Sequence, residues 1–140
     1  MSYLDTSVIV ALLTGEASAT RIRFWLNNHK PEPLMISEWS FTEVSSALSL
    51  KLRTGQITVT ACEAAQTQFG LLAKNSFEVL PVSQQHFYEA ARYCDRHDLA
   101  LRSGDALHLA IAIDAKSELI TLDKRFATAA KTLGARCTLL

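Results

Sequence analysis

The chain has 140 residues, enough for one domain with its own core and too few for two domains of ordinary size. Apolar residues make up 49% of it and charged residues 20%, a balance that excludes intrinsic disorder. Fourteen basic residues match fourteen acidic ones, so the formal charge of zero argues against binding nucleic acid through a large basic surface. The same balance favours self-association or a protein partner.

Other protein classes are disfavoured by short segments and by cysteine spacing. The longest apolar run, residues 8–13, is too short to span a bilayer, so no membrane association is expected. The first residues lack the basic segment of a signal peptide and include Asp5, so we expect a cytoplasmic protein. Cys62, Cys94 and Cys137 are odd in number and form no C-x-x-C pair, which disfavours a zinc knuckle or a disulfide framework.

The first half of the chain is predicted to contain two strands and four helices. The predicted segments are strand 3–4, helix 7–13 ended by Gly15, helix 19–28 with Pro31 and Pro33 behind it, strand 34–36, a helix capped by Ser37 with Phe41, Val44, Leu48 and Leu52 on one face and Gly55 at its end, and a helix capped by Thr60 with a stripe of Ala61, Ala65, Phe69 and Leu72.

The second half continues the alternation. The predicted segments are strand 77–82, a helix opened by Ser83 that carries Phe87, Ala90, Ala91 and Cys94, a nearly all-apolar helix opened by Ser103 and running to about Ala115, strand 119–122, helix 124–133 with Gly134 behind it, and strand 137–140. Apolar strands separated by helices predict a mainly parallel sheet of about five strands, covered on both faces. We therefore expect a three-layer α/β/α sandwich that forms one domain over residues 1–140.

Four acidic residues fall where such a fold would gather them. Asp5 and Asp123 each follow a predicted strand, Asp105 lies in the first turn of the apolar helix, and Glu43 lies on the helix that leaves the second strand. Ligands of open parallel sheets bind at the carboxyl ends of the strands. Taken singly, Asp105 is a good helix-start residue, Glu43 a good solvated helix position and Asp123 a good turn residue. Only as a set do they indicate a site.

Carboxylates held together repel one another unless a cation neutralises them. Hard oxygen ligands suit Mg²⁺ or Mn²⁺, and such ions can activate water and stabilise a phosphodiester under attack. The set therefore indicates phosphodiester hydrolysis with Asp5, Glu43, Asp105 and Asp123 as catalytic residues.

Four sequence motifs resemble those of PIN-domain ribonucleases, in particular the toxins of VapBC-type toxin–antitoxin pairs. They are residues 4–12 (LDTSVIVAL), residues 37–55 with Glu43 in the middle, residues 101–110 (LRSGDALHLA) and residues 120–126 (ITLDKRF). The resemblance spans nearly the whole chain, and the third and fourth motifs are its most specific part.

The resemblance implies a PIN-like fold and a metal-dependent endoribonuclease that cuts transfer or messenger RNA. It implies direct metal ligation by Asp5 and Asp105, hydrogen-bonding support from Thr6, Ser7 and Thr121, a cognate antitoxin and a homodimer.

Three further residues could have more than one role. His108 could touch a substrate phosphate, but a hydrogen-bonded core histidine is favoured. Arg102 could contact RNA or the antitoxin, pair with one of the acids, or simply be exposed, and Lys124 could contact RNA or the antitoxin. Two rival functions also stay open: a PIN-fold module that binds RNA or protein without catalysis, and another Mg²⁺-dependent phosphoryl-transfer enzyme. The second is disfavoured because no second aspartate closely follows Asp5.

Overall fold

The computed structural model describes residues 1–29 and 32–140, in which one or two α-helices separate successive strands. The elements are β1 (Ser2–Leu4), α1 (Thr6–Thr14), α2 (Ala19–Asn28), β2 (Leu34–Ser37), α3 (Glu38–Arg53), α4 (Val59–Asn75), β3 (Phe77–Leu80), α5 (Gln84–Cys94), a 3₁₀ turn (His97–Leu99), α6 (Ser103–Asp114), β4 (Glu118–Thr121), α7 (Lys124–Thr132) and β5 (Cys137–Leu139). Every predicted strand and helix is present. Pro31, predicted to help close the region after α2, lies outside the described residues.

Two predicted helix starts are wrong. Helix α4 is capped by Thr58 rather than Thr60, because the Thr58 side chain accepts the backbone N–H of Ala61. Helix α6 begins at Ser103 itself, with Arg102 in the N-cap position, so Asp105 is its third residue. Strand β3 ends before Pro81, which has no N–H to give to a neighbouring strand.

Two predicted apolar stripes are also offset. In α4 the buried residues are Cys62, Ala65 and Phe69, whereas Ala61 is exposed. In α5 Ala90 is buried as predicted, but Phe87 is 54% exposed. In each helix the buried residue is the direct neighbour of the predicted one, Cys62 beside Ala61 and His86 beside Phe87.

All five strands are parallel, in the order β3-β2-β1-β4-β5. Tyr3 in the central strand is in register with Met35 on one side and Leu119 on the other. Successive residues of a strand point to opposite faces, so each strand contributes to two cores. Helices α1 to α4 pack with Leu4, Ile36 and Ile120 on one face. Helices α5 to α7 pack with the residues Tyr3, Met35 and Leu119 on the other face.

This arrangement confirms the predicted three-layer α/β/α fold. It also fixes where a site can form. From β1 the chain adds β2 and β3 on one side of the sheet and then returns to add β4 and β5 on the other. The crevice between the ends of β1 and β4 is thus the topological switch point, where open parallel sheets bind ligands. No helix in the described ranges is long and apolar enough to cross a membrane.

Candidate active site

An open groove of about 520 Å³ lies at this switch point. All four of the acids singled out from the sequence line it: Asp5, Glu43, Asp105 and Asp123. Its floor comes from the residues that follow β1 and β4, and its walls come from α1, α3 and the start of α6. A fifth acid, Glu16, lies at the rim and pairs with Lys51 at 2.6 Å.

Asp5 is the anchor of the groove. It is 4% exposed and occupies the N-cap position of α1, directly after the central strand. Its Oδ2 accepts two hydrogen bonds, from Ser7 Oγ at 2.6 Å and from Thr121 Oγ1 at 2.8 Å. Within the described residues, Oδ1 accepts no hydrogen bond and lies 3.9 Å from His108 Nε2. One oxygen of Asp5 is therefore held by hydroxyl donors, and the other is available to a ligand.

Glu43 is held in a similar way. Its Oε2 accepts the Thr6 hydroxyl at 2.7 Å and a short hydrogen bond from His108 Nε2. Burial alone would raise the pKa of Glu43, but the hydrogen bond and the electrostatic attraction of His108, together with Thr6, lower it below its ordinary value. Glu43 is therefore ionised at neutral pH, although its side chain is only 25% exposed.

For Asp105, the effects that raise the pKa are larger than those that lower it. Burial, and then the negative charges of the other three carboxylates, raises the pKa of Asp105 to about 6, and His108 opposes this only weakly. The groove thus holds more negative charge than its own donors neutralise. A bound cation would relieve this repulsion.

Asp123 has a structural duty as well as a place in the groove. Its Oδ1 caps α7 by accepting the backbone N–H groups of Arg125 and Phe126, at 2.8 and 3.0 Å. Its own N–H donates to Thr121 Oγ1 at 3.0 Å, which links it to the hydroxyl that holds Asp5. Asp123 is therefore both a helix cap and a groove-lining acid.

The two predicted contact cations differ in position. Arg102 is exposed and lines the groove. Lys124 is exposed at the start of α7 but does not line the groove, whereas its neighbour Arg125 joins Arg102 in a small depression beside it. His108 is fully buried and hydrogen-bonded to Tyr3, which confirms the interpretation as a core histidine.

Sequence reasoning missed three residues around Glu43. Tyr3 donates to or accepts from His108 Nδ1 at 2.7 Å, from inside the central strand. Gly104 lies against Glu43, since a Cβ there would be 2.3 Å from Glu43 Oε1. Trp39 lies near the same point, and its indole N–H helps to lower the pKa of Glu43, although in the described part of the chain that nitrogen has no partner in hydrogen-bonding geometry. A tyrosine in a short, fully buried strand was the one available signal.

The residues present fit a divalent cation. The ligand atoms of Asp5, Glu43 and His108 lie within 4.8 Å of one another. The two carboxylates supply the hard oxygen ligands that Mg²⁺ and Mn²⁺ prefer, and the raised pKa of Asp105 marks the charge that such an ion would balance. Asp105 and Asp123 line the same groove without belonging to that close group.

Open parallel α/β sheets bind ligands at the switch point, and the carboxylates gathered there give this fold a candidate cation site. The PIN domain family model matches residues 2–132, and the chain belongs to that family.

Individual relatives agree with this assignment. The chain is 26% identical over 137 residues to "Ribonuclease VapC47" of Mycobacterium tuberculosis, covering 96% of this chain and 93% of that protein. Its fold is similar to that of the Mycobacterium tuberculosis toxin VapC20, described as cleaving the sarcin–ricin loop, with a TM-score of 0.75, 20% identity, and coverage of 92% and 95%. It is also similar to a chain of a toxin–antitoxin complex from Klebsiella pneumoniae, with a TM-score of 0.63, 23% identity, and coverage of 91% of each chain.

Proposed function

We propose that this protein is a metal-dependent endoribonuclease and the toxin of a toxin–antitoxin pair. The observation that carries the proposal is the convergence of four carboxylates in one groove at the switch point, with the pKa of Asp105 raised to about 6 by burial and by its acidic neighbours. Family membership and the ribonuclease named among the relatives support RNA as the substrate.

In this proposal Asp5 and Asp105 hold Mg²⁺ or Mn²⁺ directly, and Glu43 and Asp123 complete the cluster. When bound, the cation supplies Lewis-acid activation of water and of the phosphodiester. Ser7 and Thr121 keep Asp5 fixed by saturating its Oδ2, which leaves Oδ1 for the ligand. Thr6 does the same for one oxygen of Glu43.

A basic side chain at the edge of the groove would orient the substrate. Arg102 is exposed there and can donate to a phosphate in a bidentate manner. Its neighbour Arg125 extends the positive edge, and Lys124 stays a candidate contact to RNA or antitoxin. These few basic side chains would steer RNA toward an otherwise acidic groove, in a protein whose formal charge is zero.

The partners follow from the same proposal. A solved relative is a toxin–antitoxin complex, which supports a cognate antitoxin for this chain. We also propose a homodimer that acts in the cytoplasm on transfer or messenger RNA.

Cleavage of labelled RNA by purified protein tests the function. Wild type is assayed with Mg²⁺, with Mn²⁺ and with EDTA, beside Asp5→Asn, and a DNA of the same sequence tests the choice of substrate. Metal-dependent cutting of RNA should fall at least about 100-fold in Asp5→Asn, because a neutral amide cannot replace a carboxylate ligand. Asp95→Asn is the matched control, since Asp95 is exposed and outside the groove.

The result has to be read with the antitoxin in mind. Mass spectrometry of the purified protein first excludes a co-purified partner. Equal cutting by wild type and Asp5→Asn would contradict the assignment, and metal binding without cutting of any RNA would favour a binding module that keeps the fold.

A further inference from the structure

A chain of buried polar side chains runs from β1 and β2 to the groove. Tyr3, Ser37 and His108 are each 0% exposed. The Tyr3 hydroxyl lies 2.7 Å from Ser37 Oγ and 2.7 Å from His108 Nδ1, and His108 Nε2 forms the short hydrogen bond to Glu43. A buried polar group is costly unless it is fully hydrogen-bonded, so this arrangement requires an explanation.

The hydrogen-bond partners of His108 determine which ring nitrogen carries a hydrogen. Glu43 is ionised and can only accept, and the Thr6 hydroxyl already donates to Glu43 Oε2. His108 Nε2 contacts these two oxygens, at 3.1 Å for Thr6 Oγ1, and therefore carries a hydrogen. In the neutral ring Nδ1 then accepts from Tyr3. Burial raises the pKa of Tyr3 well above its ordinary value, so the phenol keeps the proton that it donates.

In either protonation state of the ring His108 donates to Glu43 through Nε2, and Tyr3 and Ser37 lie behind it in the same line of hydrogen bonds. The chain of donors ends on one oxygen of one carboxylate. The other oxygen, Glu43 Oε1, lies beside Gly104 in the first turn of α6, and Gly104 immediately precedes Asp105 in the chain. Hydrogen bonds that hold one oxygen of a ligand determine where the other oxygen points.

We propose that Tyr3 and His108 are positioning residues, which hold Glu43 so that Oε1 is presented to the metal ion in the groove. This rests on the proposed function, because it assigns Glu43 to the metal site. The alternative role for His108, direct ligation through Nε2, requires a free lone pair on that atom. The hydrogen assigned to Nε2 occupies it.

Mn²⁺ affinity, measured by titration calorimetry, is the readout, because it does not depend on RNA cleavage. Three variants test this chain of hydrogen bonds. His108→Leu removes the donor to Glu43, and His108→Gln retains an amide donor at the position of Nε2. Tyr3→Phe removes only the hydroxyl that contacts His108 Nδ1. Partners behind a ligand typically change metal affinity about 10- to 100-fold. We expect a loss in that range for His108→Leu, a smaller loss for Tyr3→Phe and partial rescue in His108→Gln.

Two controls separate positioning from packing. His86 is a buried histidine outside the groove, with Nδ1 bonded to the Ser83 N–H and Nε2 to Asp114. His86→Gln should leave Mn²⁺ affinity unchanged. In a Glu43→Gln background the effect of Tyr3→Phe should disappear, because the hydroxyl is argued to act through that carboxylate.

Wild-type Mn²⁺ affinity in folded Tyr3→Phe and His108→Gln, or an undiminished effect of Tyr3→Phe in the Glu43→Gln background, would overturn the positioning role. Equal, near-complete loss of Mn²⁺ binding in His108→Gln and His108→Leu would overturn it in favour of direct ligation. If wild type binds Mn²⁺ but cuts no RNA, the proposed function fails while these affinities still decide the positioning role. A wild type that binds no Mn²⁺ would contradict both.

Discussion

Replacing Asp105 with Asn should stabilise the metal-free protein while abolishing its metal-dependent activity. Asp105 is the acid on which burial and neighbouring charges act most unfavourably, since they raise its pKa to about 6 from its ordinary value of 3.8. A neutral amide of nearly the same shape keeps the packing and removes the repulsion. The same change removes a carboxylate that we propose as a direct metal ligand.

The shift sets the size of the effect. About two pKa units correspond to at most about 3 kcal/mol of folding free energy at neutral pH. Asp105 is partly exposed, so solvent screening reduces this to about 1–2 kcal/mol. For a domain of 140 residues, that amounts to an increase in Tm of about 3–7 °C.

The pH dependence follows from the direction of the shift. Because the folded-state pKa of Asp105 is raised, its favourable contribution is fully present below pH about 4, where the carboxyl is protonated in both states. The contribution is lost as pH rises through about 6. Asp105→Asn should therefore match wild type near pH 4 and exceed its stability at pH 7.

Thermal unfolding from pH 4 to pH 8, with EDTA and with saturating Mn²⁺, measures this directly. Ligand at about 100 times its Kd adds about 2.7 kcal/mol to the protein that binds it. Wild type should therefore become the more stable protein in Mn²⁺, which reverses the order seen in EDTA. Asp95→Asn, an exposed change outside the groove, should do neither. The reasoning would be refuted if metal-free Asp105→Asn were less stable than wild type at pH 7. It would also be refuted if the difference in stability between the two proteins were the same at pH 4 as at pH 7.

Three further changes test separate parts of the site. Gly104→Ala should weaken Mn²⁺ binding about tenfold, since the new Cβ would come within 2.3 Å of Glu43 Oε1 and displace that carboxylate. Unchanged Mn²⁺ affinity would contradict that contact. Arg102→Gln should raise KM for RNA and reduce the slope of log affinity against log salt by about 0.7, whereas Arg92→Gln, outside the groove, should change neither. Leu48→Ala should lower the free energy of unfolding by about 2–5 kcal/mol in urea titrations, because Leu48 is 0% exposed. A change below about 1 kcal/mol would contradict the packing of Leu48 in the core.

The fold was predictable from the sequence because its signals are local and consistent. Apolar strands, glycines after helices and a serine cap at residue 37 each mark a boundary within a few residues. The 3₁₀ turn His97–Leu99 was not predicted, since three polar and apolar residues carry no periodic pattern. Strand order depends on long-range packing, which no local pattern records.

The residues of the candidate site also differ in whether a local sequence pattern could predict their position. Asp5 and Asp123 were predictable because residues one or two positions after a buried parallel strand lie at the carboxyl edge of the sheet. Glu43 and Asp105 lie on helices, where spacing alone could not separate a groove residue from a solvated one. Their placement became certain only with the sheet order, which brings β1 beside β4.

The supporting donors were harder to predict for a physical reason. An acid in a buried site has to be satisfied by hydrogen-bond donors, and those donors can come from any element that reaches it. Ser7 and Thr121 were predicted only through the resemblance to PIN-domain ribonucleases, and the structure shows that both donate to Asp5. Tyr3 is 105 residues from His108 in sequence, and only the pleat of the central strand, which turns Tyr3 toward α6 and Leu4 toward α1, brings the two together. The strand that places Asp5 at the edge of the sheet therefore also supplies the hydroxyl behind Glu43, so a one-residue slip of β1 would disrupt both carboxylates at once.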